Sequence, residues 1–283
     1  VLGDLFDKHN PHPAVIKAAG DALHERLDGT EVCHPTFIIA GNHDIASMHE
    51  NDSAVATLEW IPGVHVVTEP EILDGGTGIA TPIMAVPFMP GSMSLNIRRV
   101  LENGVPKGAV LASHFGISDE NTPAWLRDTE GSVSIHTVRK WVNKYELSGV
   151  FVGDWHDRKI WTGSNGQPIV QVGALVPTGW DNQGLDYGHV TTFDPDHAIG
   201  TAQVPGPRFF DISTEAEAVE ILNQLGDNFV RFKVKSELLA QDFVAELLND
   251  SKILDIIYDI TSDASRKAAE AAVAAVRSGS KSI

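Results

Sequence analysis

Cys33 is the only cysteine in the 283-residue chain, which excludes an intrachain disulfide and a Cys-rich structural zinc site. No apolar run approaches the roughly 20 residues that a bilayer-spanning helix needs. The opening Val1-Leu2-Gly3-Asp4 has neither a basic region nor a cleavable apolar stretch, so it does not read as a signal peptide. Together these absences predict a cytoplasmic protein with no membrane partner. Positive charge is scarce as well. Against 38 Asp and Glu stand 21 Lys and Arg, a formal charge of −17. A protein that held nucleic acid by phosphate neutralisation alone would be basic, so the balance counts against a nucleic-acid substrate. Most of the acidity reads as solvated surface, and part as carboxylate available to cations, whose charge reverses the local sign. No Ser or Cys nucleophile motif is present.

What is present is enough apolar residue, 42%, for one large core with a smaller appendage. Short apolar runs each lead into a polar, Gly-rich or His-rich turn: Thr36–Ala40 into Gly41-Asn42-His43-Asp44, Ala109–Ala112 into Ser113-His114, Gly149–Val152 into Gly153-Asp154-Trp155-His156, and Ile169–Val172 into Gly173-Ala174. Runs so short and continuous predict strands buried on both faces. Helical spacing covers Pro13 to Leu27, with Val15, Ile16, Ala19, Ala22, Leu23 and Leu27 on the apolar stripe. It recurs from Ile135 to Tyr145, with Val138, Trp141 and Val142 inward. The alternation predicts an α/β layered architecture, whose sites form at the carboxyl ends of strands. Pro205-Gly206-Pro207 predicts a boundary between residues 1–204 and 205–283. Beyond it, a strand at Phe229–Val234, a helix at Leu238–Leu248 and a strand at Ile253–Ile260 make a β-α-β module. An Ala-rich helix from Ala264 to Arg277 and a frayed tail follow.

Four turns carry the chemistry: Gly3-Asp4-Leu5-Phe6-Asp7, Gly41-Asn42-His43-Asp44, Ser113-His114 and Gly153-Asp154-Trp155-His156. Carboxylate, amide oxygen and imidazole suit Mn, Fe, Zn or Mg better than thiolate-seeking ions. As ordinary structural features, Asp4 would cap a helix or turn, His114 would be a satisfied buried histidine, and Asp154 would cap the turn after it.

In this order the motifs resemble the calcineurin-like metallophosphoesterases, which carry D-x-H, G-D-x-x-D, G-N-H-[DE], a lone His and G-H-x-H. The last four are recognisable here, over roughly residues 1 to 195. Gly3–Asp7 with Asn10-Pro11, the loop Gly173–Pro177 and the later β-α-β module most resemble SbcD-type DNA repair exonucleases. The resemblance implies an αββα sandwich with a small capping domain. It also implies two divalent metal ions, Mn foremost, and hydrolysis of DNA phosphodiesters by hydroxide activated between them. As partners it implies DNA, an SbcC-type coiled-coil ATPase and a homodimer. Carried over residue by residue, Asp4 bridges the ions, Asn42, His114 and Asp154 complete the second, and His156 joins Asp4 on the first. His43 serves as proton donor to the leaving group, and Asp44 orients or polarises His43.

Two departures bear on these roles. Asp154 stands where the family has an imidazole, which favours Mn or Mg over Zn if it binds metal at all. No D-x-H precedes Asp4, so the chain as given would keep two ligands for its first ion and is expected to be impaired. The acidic surface keeps a second reading open, a phosphoesterase for a nucleotide, cyclic nucleotide or phosphoprotein, and the missing motif a third, a non-catalytic interaction module. His9 and His12, near Asp4, read as a solvated loop or as phosphate contacts. Trp155, Arg158 and Lys159 read as packing and surface or as contacts to base and phosphate.

Overall fold

The protein is described from a computed structural model that covers residues 1–28, 35–45, 53–74, 80–177, 185–194, 199–204, 206–224, 229–235, 238 and 242–259. The expected Ala264–Arg277 helix, the tail after it and Pro205 lie outside these residues. Two compact units divide the chain: Val1–Ala174 with His189–Ala202, and Leu175–Gly188 with Gln203–Ile283.

In the first unit a six-stranded sheet is ordered β3-β4-β5-β8-β10-β9. Its middle strands β4 (Ile83–Val86), β5 (Val110–His114), β8 (Gly149–Gly153) and β10 (Pro168–Gln171) run parallel. Antiparallel β3 (Glu71–Leu73) and β9 (Lys159–Thr162) form its edges. Because side chains alternate along a strand, Met84, Val86, Leu111, Val150, Val152 and Ile169 face one way. There they meet helices α2 (Met93–Glu102) and α4 (Ile135–Lys144). Ala85, Val110, Ala112, Phe151 and Val170 face the other way.

A second, two-stranded parallel sheet of β1 (Thr36–Ile39) and β2 (Val64–Val67) covers part of that other face with Ile39 and Val67. Phe193 of β11 (His189–Phe193) and Ile199 of β12 (Ile199–Gln203) cover the rest. On the outside of β1 and β2, Ile38, Val64 and Val66 pack with helix α1 (Pro13–Asp28). The layers therefore run helix, sheet, sheet, helix. Every strand buried on both faces must be apolar at successive positions, which is why these runs are continuous in the sequence.

In α4, Ser134 caps the first turn by accepting the Thr137 amide, and Val138, Trp141 and Val142 are buried as their spacing predicts. In α1 the packed stripe is narrower than expected. Ile16, Ala19 and Leu23 face the core, whereas Val15 and Ala22 are exposed, because one helix face accommodates only the i, i+3, i+7 set.

In the second unit, β13 (Arg208–Ile212), β14 (Val230–Lys235) and β15 (Ile253–Asp259) form a parallel sheet in that order. Helix α5 (Glu215–Gln224) links the first pair and α6 (Asp242–Asn249) the second. The module is thus β-α-β-α-β, one strand and one helix longer than the pattern from Phe229 onward suggests. Its core gathers Ile212, Ala218, Val230, Phe232, Val234, Phe243, Val244 and Leu247. Among the described residues, no helix is long and apolar enough to cross a membrane.

Candidate metal centre

Four chain segments end together at one edge of the first unit. Leu2 pairs in parallel with Ile39, so Gly3 and Asp4 leave beside the exit of β1, where Gly41 to Asp44 begin. His114 is the last residue of β5, and it pairs with Gly153, the last of β8, so Asp154 follows directly. All four segments deliver polar side chains at carboxyl ends of strands, where backbone pairing stops and side chains can converge.

His114 is the hub. Its ring is buried, and Nδ1 lies 2.7 Å from the Leu2 carbonyl oxygen. Nε2 lies 2.9 Å from Asn42 Oδ1, 3.3 Å from Asp4 Oδ2 and 3.9 Å from Asp154 Oδ1. Both ring nitrogens thus face atoms that only accept hydrogen bonds. A neutral ring can donate from one of them, so the arrangement calls for either an imidazolium or a cation in front of Nε2. With Nδ1–H donated to Leu2, the Nε2 lone pair points at the three oxygens, the orientation that a metal-ligating histidine adopts.

The electrostatics agree. Burial alone would lower the pKa of His114, but the Asp4 carboxylate and then Asp154 outweigh it and hold it above its ordinary value. Burial raises the pKa of Asp4 less than His114 and the His43 amide lower it, so this carboxyl stays below the usual range. Burial pushes both Asp154 and Asp44 up. Clustered perturbations of this kind mark functional sites. Asp4, His114 and Asp154 offer ligand atoms that all lie within 4.8 Å of one another. Three oxygens and one imidazole nitrogen directed at one point fit a hard or borderline divalent ion.

The backbone around this point is unusual. Asp4 (φ 50°) and Asp154 (φ 96°) are left-handed, as few non-glycine residues are. Glycines make the room. A Cβ at Gly3, itself left-handed, would lie 2.0 Å from His114 Nδ1, one at Gly41 2.2 Å from Asp4 Oδ1, and one at Gly153 2.0 Å from the Leu2 oxygen. These three glycines are structural parts of the site that the four motifs do not announce as such. Each immediately precedes a candidate ligand, and that adjacency was the available signal.

Asp44, to which the resemblance gives the role of orienting or polarising His43, binds backbone amides. Its buried carboxylate accepts the Gly41 amide at 2.9 Å and the Phe6 amide at 3.2 Å, fastening the Asn42-His43 turn to the Asp4 turn. His43 Nδ1 instead lies 2.7 Å from the Asp7 carbonyl oxygen, and the His43 amide donates to Asp4 Oδ1 at 3.0 Å. His156 is outside the three-residue group, although its charge acts on Asp154. Its carbonyl accepts the Ala174 amide at 2.9 Å, and Gln171, fully buried, donates to the next carbonyl, that of Asp157, at 2.6 Å. Gln171 Oε1 in turn accepts the Ile117 amide at 2.9 Å. The loop bearing Asp154 and His156 is thereby tied to β10 and to β6 (Gly116–Ser118). The Trp155 indole lies so close to Gly116 that a Cβ there would be 2.0 Å from its ring, so this side chain packs against the loop's neighbour.

Comparison with curated proteins gives no match. The sequence model of the calcineurin-like phosphoesterases matches residues 1–158, more than half of the chain and all four segments that meet at His114. This chain belongs to the calcineurin-like phosphoesterases, metal-dependent hydrolases of phosphate esters.

Proposed function

We propose that the chain is a divalent-metal phosphodiesterase acting on DNA, of the SbcD exonuclease type, with Mn as its ion and the cytoplasm as its compartment. The convergence of Asn42 Oδ1, Asp4 Oδ2 and Asp154 Oδ1 on the Nε2 edge of His114 carries this reading. Asn42, His114 and Asp154 would hold one ion, Asp4 and His156 the other, with Asp4 shared. Bound there, the ions would supply an activated water and neutralise charge building on the phosphoryl oxygens.

The remaining work falls to the chain's own groups. Leu2 fixes the His114 ring, and Asp44 fixes the turn that carries Asn42 and His43. His43 has its Nδ1 on the Asp7 carbonyl, so its other nitrogen, on an exposed side chain, is left to give a proton to the departing oxygen. An Nδ1–H so engaged means that Nε2 can donate only from the protonated ring. An SbcC-type ATPase and a second copy of the chain remain proposed partners on the resemblance alone.

The formal charge of −17 favours a second reading, a phosphoesterase for a nucleotide, cyclic nucleotide or phosphoprotein. A substrate panel with Mn separates the two. Degradation of labelled single- and double-stranded DNA supports the nuclease. Turnover of bis-p-nitrophenyl phosphate with DNA left intact would overturn it in favour of the second reading.

A further inference from the structure

Beside the metal centre lies a cleft of about 510 Å³, lined by Asp7, Lys8, His9, Asn10, Asn42 and His43. Asn42 belongs to both places, since its Oδ1 meets His114 while the residue also lines the cleft. The cleft therefore begins where the ion cluster ends. Its floor is held in shape: His43 is fastened to the Asp7 carbonyl and, through its amide, to Asp4.

Two of its basic side chains have no partner among the described residues. Lys17, Lys107, Lys144 and Lys159 each sit within ion-pair reach of a carboxylate. Lys8 makes no ion pair or hydrogen bond among the described residues, nor does His9. In a chain so acidic, a lysine beside the candidate reaction centre with no carboxylate partner among the described residues is suited to an anion from outside. Asn10 adds an amide that can donate to the same anion. Asp7, exposed, is the one acidic side chain of the lining among the described residues.

Resting on the phosphodiesterase reading, we infer that this cleft is a subsite for the phosphate next to the one being cleaved, with Lys8 and His9 as its contacts, so that the substrate is a polynucleotide with at least two consecutive phosphates. A monoester or an isolated diester would fill the metal centre and leave the cleft vacant. A strand would fill both, and the contact would be to backbone rather than base, which positions without reading sequence. The net acidity of the molecule is then compatible with a polynucleotide, because the attraction is local to the ions and to this cleft.

The test compares wild type with Lys8→Glu and His9→Ala in two ways. Binding of a fluorescent single-stranded phosphorothioate oligonucleotide, which resists hydrolysis, is measured with Mn bound, across a salt series. Hydrolysis in Mn is then compared for the oligonucleotide and for bis-p-nitrophenyl phosphate, which has no neighbouring phosphate. Lys8→Glu is expected to weaken oligonucleotide binding at least about fivefold and to lower the salt slope by about one. It should also raise KM for the oligonucleotide about fivefold more than for the small diester. Equal binding by variant and wild type, or parallel loss on both substrates, overturns the subsite. Should wild type cleave neither substrate while its binding still depends on Lys8, the subsite stands and the hydrolase reading of this chain falls.

Discussion

His43 can hand a proton to a leaving group only while its ring is protonated, because the Asp7 carbonyl already occupies Nδ1–H. His43→Asn removes that donor without touching any group that faces His114. The expected result is a kcat about 10²–10⁴-fold lower with metal content unchanged, read by steady-state kinetics beside elemental analysis. Asp44 behaves differently. Its carboxylate satisfies two backbone amides from inside the protein, so Asp44→Ala strands both. Each orphaned amide costs about 1–3 kcal/mol, and urea denaturation should show a midpoint lowered accordingly. At this scale the sequence was informative about residue types and silent about allegiance. G-N-H-D announces a cluster of polar groups, but nothing in four letters says that Asp44 turns inward to the Phe6 amide while His43 reaches back to Asp7. Those partners lie more than 30 positions away.

Strands delivered the site more legibly. An apolar run long enough to be buried on both faces and then broken by Gly-Asn-His or Gly-Asp-Trp-His can end only at a sheet edge, so β1, β5, β8 and β10 and their turns could be read directly. Helix α2 was not anticipated, although Met93, Ile97 and Leu101 are buried in it at successive turns. Strand β13 also escaped notice, since Arg208-Phe-Phe-Asp-Ile neither alternates nor runs apolar throughout. Gln171 is the polar exception within a buried strand, and its position has a mechanical reason, the link between the Asp157 carbonyl and the Ile117 amide. Gln171→Leu should loosen the loop carrying Asp154 and His156. The predicted outcome is a weaker metal affinity by isothermal titration, with partial recovery in Gln171→Glu, which keeps the acceptor for Ile117.

For the whole molecule the informative variable is the balance between protons and metal. His114 has a folded pKa raised by Asp4, so the stability it lends the metal-free chain is full below its unfolded value and is lost as pH rises through the folded one. Metal needs the neutral ring, so the stabilisation it adds grows over that same window. The gap in unfolding midpoint between chain saturated with Mn and chain in EDTA should therefore widen as pH rises above the ordinary histidine value of 6.5. At an ion concentration near 100 times its Kd, the added stability is about 2.7 kcal/mol. A gap independent of pH would mean that His114 is not a ligand. The net charge, by contrast, predicted little about the site, because a sum over the surface says nothing of where cations and anions gather. The three glycines that crowd the His114 ring and its supports leave no space for a side chain of any kind, and this has a consequence for substitution. Exchanging carboxylate for imidazole at a strand end alters the preferred ion while leaving the backbone path intact. Positions 3, 41 and 153 have no such freedom, and a library randomised there and sorted for retained metal is expected to return glycine at all three.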